Sequence, residues 1–138
     1  MSERVLVDAN ILLRHLLGDN ALHSPAATRF IAEIAVGSYV AIMSDTVVFE
    51  TIYVLEKQRG LSRSEIHRQL GEIITTPNVE LPDKGMSAEV FRRYVERPAL
   101  SFADCCHIVL ARKLSGGRLA TFDKAVGKSE GVDWIEPT

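Results

Sequence analysis

Cysteine is nearly missing from this chain of 138 residues: the only two, Cys105 and Cys106, are neighbours. Adjacent thiols suit neither a disulfide framework nor a zinc site, which is built on spaced pairs, so both are expected to be small buried side chains. Long apolar runs are missing as well. No stretch approaches the roughly 18 apolar residues of a membrane span, and the charged start "MSER" precedes only a short apolar segment, so no signal peptide is readable and a cytoplasmic location is expected. Nor is there an excess of positive charge. With 16 Lys and Arg against 18 Asp and Glu the formal net charge is -2, so a polyanionic partner has to be met by a local patch rather than by the whole surface. Aromatics make up 7% of the chain, with Trp134 the lone tryptophan. Trp134 on a terminal strand reads as packing, and nothing suggests the rows of stacking rings by which single-strand binders hold bases. No internal repeat, low-complexity tract or linker is visible.

What is present is an ordinary globular composition, 46% hydrophobic and 25% charged, enough for a real core and short enough for one domain over 1–138. "RVLVDAN" reads as a strand with apolar residues on both faces, and "NILLRHLLGD" as a helix. In "HSPAATRFIAEIAVG", Ser24 reads as the N-cap, Pro25 as the first helical residue and Gly37 as the stop. A second strand is read in "YVAIM". Ser44 or Asp45 can cap the helix through "TVVFETIYVLEKQR", and "SRSE" from Ser62 has capping-box spacing before "IHRQLGEII". "NVEL" is a short strand, "SAEVFRRYVER" and "FADCCHIVLARKL" are helices, and "RLATF" and "VDWIE" are the last strands. Short strands alternating with helices imply right-handed crossovers and an α/β fold, with a central, mainly parallel twisted sheet between helical layers.

Four carboxylates stand out against this background. Asp8 ends the first strand, at the edge where open parallel sheets place ligands, although capping the next helix would explain it equally well. Glu50 sits in "TVVFETIYVLE" with apolar neighbours in nearly every direction, so it is expected to be buried, and burial without a partner costs several kcal/mol. A distant Arg is the plain alternative. Asp104 follows Ser101 with capping-box spacing, and Asp123 ends the strand "RLATF" where it too can cap. If these four meet at one sheet edge about 6 Å apart, each ionised pair repels by roughly 3 kcal/mol at an effective dielectric near 20. Such a cluster needs a counterion, and oxygen-only ligands select Mg²⁺ or Mn²⁺ over zinc.

Taken in order, "VLVDANILLRHLLGDN", "SDTVVFETIYVLEKQRGLS", "LSFADCCHIVLA" and "LATFDKAV" resemble the PIN-domain ribonucleases, specifically the VapC toxins of prokaryotic toxin-antitoxin pairs, over essentially the whole chain. The resemblance implies a three-layer α/β/α sandwich and a metal-dependent endoribonuclease whose catalytic and metal-binding acids are Asp8, Glu50, Asp104 and Asp123, supported by Asn10 and Thr121. One or two Mg²⁺ or Mn²⁺ ions held there would lower the pKa of a bound water and neutralise the phosphate for in-line attack. It further implies an RNA substrate, a VapB-like antitoxin and a homodimer. The apolar helical hairpin around "VVFETIYVL" and "IHRQLGEII" is the candidate surface for both partners.

Among the basic residues, Arg14 and Arg59, with Lys57, Arg63 and Arg68, fall on elements flanking the expected pocket and can carry RNA phosphates, although exposed helix faces bear such charges for solubility alone. His15, His23, His67 and His107 share no ligand spacing. Two other readings stay open. One is a phosphatase or phosphoacceptor using Asp8 as nucleophile, against which "DAN" lacks a second aspartate two residues on. The other is a non-catalytic module in which the acids hold a structural cation.

Overall fold

Strands of four residues or fewer leave little backbone for pairing, yet among the described residues every strand pairing is parallel. The structure is a computed structural model and describes residues 2–138. It divides into two units, Met1–Lys84 and Gly85–Thr138.

In the first unit, β1 (Glu3–Leu6), β2 (Tyr39–Ile42) and β3 (Val79–Glu80) form a sheet in that order, with Leu6 opposite Ile42 and Ile42 opposite Glu80. Helices α1 (Ala9–Leu17) and α2 (His23–Ala35) pack on each other, and α1 also packs on α3 (Asp45–Tyr53). A π-helical turn over Val54–Gln58 continues α3, and α4 (Arg63–Ile74) leads into β3. The buried side chains include Val7, Leu12, Leu13, Ile34, Met43, Ile52, Leu55, Ile66 and Leu70. Each fully buried Leu or Ile contributes about 1.5–3 kcal/mol relative to exposure. β1 departs from the two-faced burial its composition suggests: it is the outer strand of its sheet, and Leu6 is 72% exposed.

The second unit carries α5 (Lys84–Glu96, beginning at the boundary), α6 (Phe102–Leu114), β4 (Arg118–Ala120), α7 (Lys124–Gly127) and β5 (Asp133–Ile135). β4 and β5 pair with Leu119 opposite Trp134. Phe91, Tyr94 and Phe102 form a ring cluster with centroids 5.1–6.5 Å apart, a spacing at which tilted and edge-on aromatic pairs attract. Cys105 and Cys106 are free and buried, as small packed thiols.

The helix starts follow local chemistry. Ser44 accepts from the Val47 amide at 3.3 Å and Ser62 from the Glu65 amide at 3.2 Å, each satisfying a donor the helix itself leaves open. At α2 the cap is not Ser24. Asn20 Oδ1 accepts from the amides of Leu22 and His23 at 3.0 and 2.7 Å, while the Asn20 amide donates to Ser24 Oγ at 3.1 Å. The longer Asn side chain, placed before the helix, reaches two amides at once. Ser24 is buried inside the first turn, and Pro25 is the third helical residue, where a missing N–H still costs nothing.

Candidate functional site

Asp8 follows β1 by two residues and Ser44 follows β2 by two, so the Leu6–Ile42 register sets them side by side at the carboxyl edge of the sheet. The Val7 amide donates to the Ile42 carbonyl at 3.0 Å, carrying the pairing up to that edge. Asp8 occupies the N-cap position of α1 with extended backbone (φ -80, ψ 151), but its side chain makes no cap hydrogen bond. Its carboxylate is exposed and, among the described residues, has no hydrogen-bond or ion-pair partner. Capping therefore does not account for it.

Glu50 stands in the second turn of α3 and is exposed, not buried as its neighbours in sequence suggest. The helix turns Val47, Val48, Thr51 and Ile52 into the core and leaves Phe49, Glu50 and Tyr53 outside, with Phe49 39% and Tyr53 58% exposed. A helix buries one face, and an apolar stretch longer than that face has to leave some members in solvent. Glu50 likewise has no partner among the described residues, so the alternative of a distant Arg is not realised. Asn10, on the first turn of α1, is exposed beside Asp8 and lines a groove of about 380 Å³ between α1 and α2 with Ile11, Arg14, His23 and Phe30.

In the second unit the local roles of the acids are real. Asp104 Oδ2 accepts from the Ser101 amide and Ser101 Oγ from the Asp104 amide, both at 3.0 Å, closing the capping box of α6. Asp123 Oδ1 caps α7 by accepting from the amides of Ala125 at 2.8 Å and Val126 at 3.3 Å. Each uses one carboxylate oxygen and leaves the other uncommitted among the described residues. Thr121 Oγ1 accepts from the Asp123 amide at 3.0 Å, and the Thr121 carbonyl accepts from Trp134 Nε1 at 2.8 Å, so Thr121 holds the loop that presents Asp123. α6 turns directly into β4 and packs on it.

The first unit thus places Asp8 at the carboxyl edge of its sheet and Glu50 in the second turn of α3, and the second unit places Asp104 in the first turn of α6 and Asp123 at the N-cap of α7. Among the described residues, no group of three or more His, Cys, Asp or Glu stands close enough to hold a metal ion. The donors fit a hard divalent ion all the same. They are carboxylate oxygens, and among the described residues none is neutralised by an arginine and two of the four carboxylates have no partner.

The model of the PIN domain matches residues 5–129 of the chain. The chain belongs to the PIN-domain family. PIN domains are typically metal-dependent nucleases, so membership suggests nuclease activity, divalent-ion use and an RNA substrate. The α/β class with parallel strands is that of a PIN domain. No curated protein matches the chain. No helix of this PIN domain, among the described residues, is long and apolar enough to cross a membrane.

The basic residues are mostly occupied. Arg14 Nη1 and Arg59 Nη2 both meet Asp19, at 3.0 and 2.6 Å, and Arg63 pairs with Glu56 at 2.8 Å. Arg68 bonds Glu65 and also lies 3.6 Å from Glu72. Hydrogen bonds from Arg68 first, then Gln69, hold the Glu65 carboxyl down at about 2. Asp19 and Asn20 escape a reading by motif. The signal in "LLGDN" is the Gly18 that ends α1 in left-handed conformation (φ 61), after which an acid and an amide are free to bond outward.

Proposed function

We propose that this PIN domain is a metal-dependent endoribonuclease, the toxin of a toxin-antitoxin pair, working as one domain over the whole chain in the cytoplasm. Asp8, Glu50, Asp104 and Asp123 are the ligands of Mg²⁺ or Mn²⁺, with Asn10 and Thr121 in support. When bound, such an ion supplies an activated water and charge neutralisation at the phosphate. The chain's own part is to present the carboxylates: Asp8 from the N-cap position it leaves unused, Glu50 from the outer face of α3, Asp104 and Asp123 from caps that fix one oxygen and free the other.

The observation that carries the reading, beside family membership, is that Asp8 and Glu50 stand exposed with no cation paired to them among the described residues. A stability role would have tied them to an arginine or an amide. The apolar hairpin of α3 and α4 proves to be mostly core, through Val48, Ile52, Leu55, Ile66 and Leu70. Phe49 and Tyr53 are what remains outside for a VapB-like antitoxin or a second copy to cover.

The test is to incubate purified protein with mixed structured RNAs in Mg²⁺, Mn²⁺ or chelator, beside Asp8→Asn and Glu50→Gln variants. Cleavage in either metal, lost in chelator and in both variants, is the expected result. Variants that cut at the native rate would end the assignment, and a phosphorylated Asp8 would replace it with phosphoacceptor chemistry.

A further inference from the structure

We infer that Asp19 is a positioning residue for the metal-binding carboxylates Asp8 and Glu50, an inference that rests on their assignment as ligands above. α1 starts from Asp8 and α3 from Ser44, both at the carboxyl edge of the same sheet, and the two helices pack on each other. Both therefore descend from that edge side by side. Asp19 lies just beyond the lower end of α1, and Arg59 just beyond the π-helical turn that ends α3. One Asp19 oxygen meets Arg14 Nη1 of α1 at 3.0 Å and the other meets Arg59 Nη2 at 2.6 Å. A single carboxylate thereby ties the far ends of the helices that carry Asp8 and Glu50.

The π turn makes the tie possible. The Arg59 amide reaches back five residues to the Val54 carbonyl at 3.0 Å, and the Leu61 amide reaches six, to Leu55, also at 3.0 Å. One extra residue in a turn rotates everything after it by roughly 100° relative to a straight α-helix, so the facing of Arg59 toward Asp19 depends on it. Glu56, inside the same turn, pairs with Arg63 at 2.8 Å with both side chains 16% exposed, which ties the turn to the start of α4.

Metal ligation is sensitive to such a tie. A one-residue slip of α3 along α1 is about 1.5 Å, whereas ligand distances hold to about 0.2 Å. Freeing the lower ends lets the helices tilt and slide, and the carboxylates at the upper ends move with them.

The experiment measures Mn²⁺ binding to the whole protein by the EPR signal of free Mn²⁺, together with thermal unfolding without metal and the kcat and KM of RNA cleavage. Asp19→Asn keeps the side-chain shape and removes the charge; Arg59→Lys keeps the charge and removes the planar fork. Mn²⁺ affinity is expected to fall on the order of tenfold in Asp19→Asn and less in Arg59→Lys, as for other groups that orient ligands, with kcat reduced and KM little changed. A lower melting temperature at unaltered Mn²⁺ affinity would reduce Asp19 to a structural tie and overturn the inference. So would a change in RNA affinity alone, which would make Arg14 and Arg59 a phosphate contact that Asp19 masks. Should Asp19→Asn fail to fold, Arg59→Lys decides by the same criterion. Wild-type protein that binds no Mn²⁺, or a Glu50→Gln variant that binds it as tightly, refutes the ligand assignment itself and Asp19's role with it; wild-type binding unaffected by Asp19→Asn refutes only the latter.

Discussion

Gly127→Ala sets two well-measured effects against each other. Gly127 is the last residue of α7, where helix propensity favours alanine by about 0.5–1 kcal/mol. A Cβ at this position, however, would overlap the indole of Trp134, with Cδ2, Cε2 and Cγ all inside any permitted contact. Overpacking of this kind costs about 1–3 kcal/mol. The half-buried indole can relieve it by swinging outward, but that breaks the 2.8 Å bond from Nε1 to the Thr121 carbonyl, at about 1 kcal/mol. The clash wins, leaving a net loss of about 1–3 kcal/mol. For a chain of this length that lowers the melting temperature by roughly 3–10 °C. Thermal and urea denaturation of Gly127→Ala, Trp134→Ala and the double variant measure it. In the double variant alanine 127 meets no ring, so a coupling energy of about 1 kcal/mol or more is expected. A single variant as stable as wild type, or more so, would show that the close approach of Gly127 and Trp134 does not hold the α7–β5 corner.

Removal of the four acids separates into two classes by stability. Asp8→Asn and Glu50→Gln break nothing the folded chain makes for itself, so each shifts stability by no more than about 0.5 kcal/mol. Asp104→Ala opens the capping box of α6 and Asp123→Ala removes the N-cap of α7, each costing about 1 kcal/mol, roughly 3 °C; equal melting temperatures across the four would contradict the hydrogen bonds described. Glu65 titrates at about 2 against an ordinary 4.5. Because its folded-state value is the lower, its contribution to stability is complete above pH 4.5 and fades as pH falls through 2. Arg68→Ala returns the Glu65 titration toward 4.5 in carboxyl NMR, and an unmoved midpoint would exclude Arg68 as the main cause. His15 titrates below its ordinary value because it is partly buried. Its neutral ring thus favours the fold above about pH 6.5, an effect lost as pH falls through its depressed value; a stability profile flat across this range in wild type but not in His15→Gln would refute it.

Local signals decided most of the elements. Ser44, Ser62 and Ser101 cap helices where their spacing to Val47, Glu65 and Asp104 says they should, because a cap acts within one turn and both partners are written side by side. Parallel pairing was legible in the alternation of short strands with helices, and the order of the four acidic motifs pointed to the PIN family that the chain proves to belong to. Facing was not legible. "TVVFETIYVLE" is apolar all round Glu50, and only the packing of α3 on α1 selects which side chains enter the core and leaves Glu50 in solvent. Partners distant in sequence were equally hidden: the 40 positions that separate Arg59 from Asp19 carry no trace of their ion pair, because it exists only where two helices end together. Whether an acid serves as a cap or stands free, as Asp123 and Asp8 do, depends on a rotamer that the surrounding fold chooses.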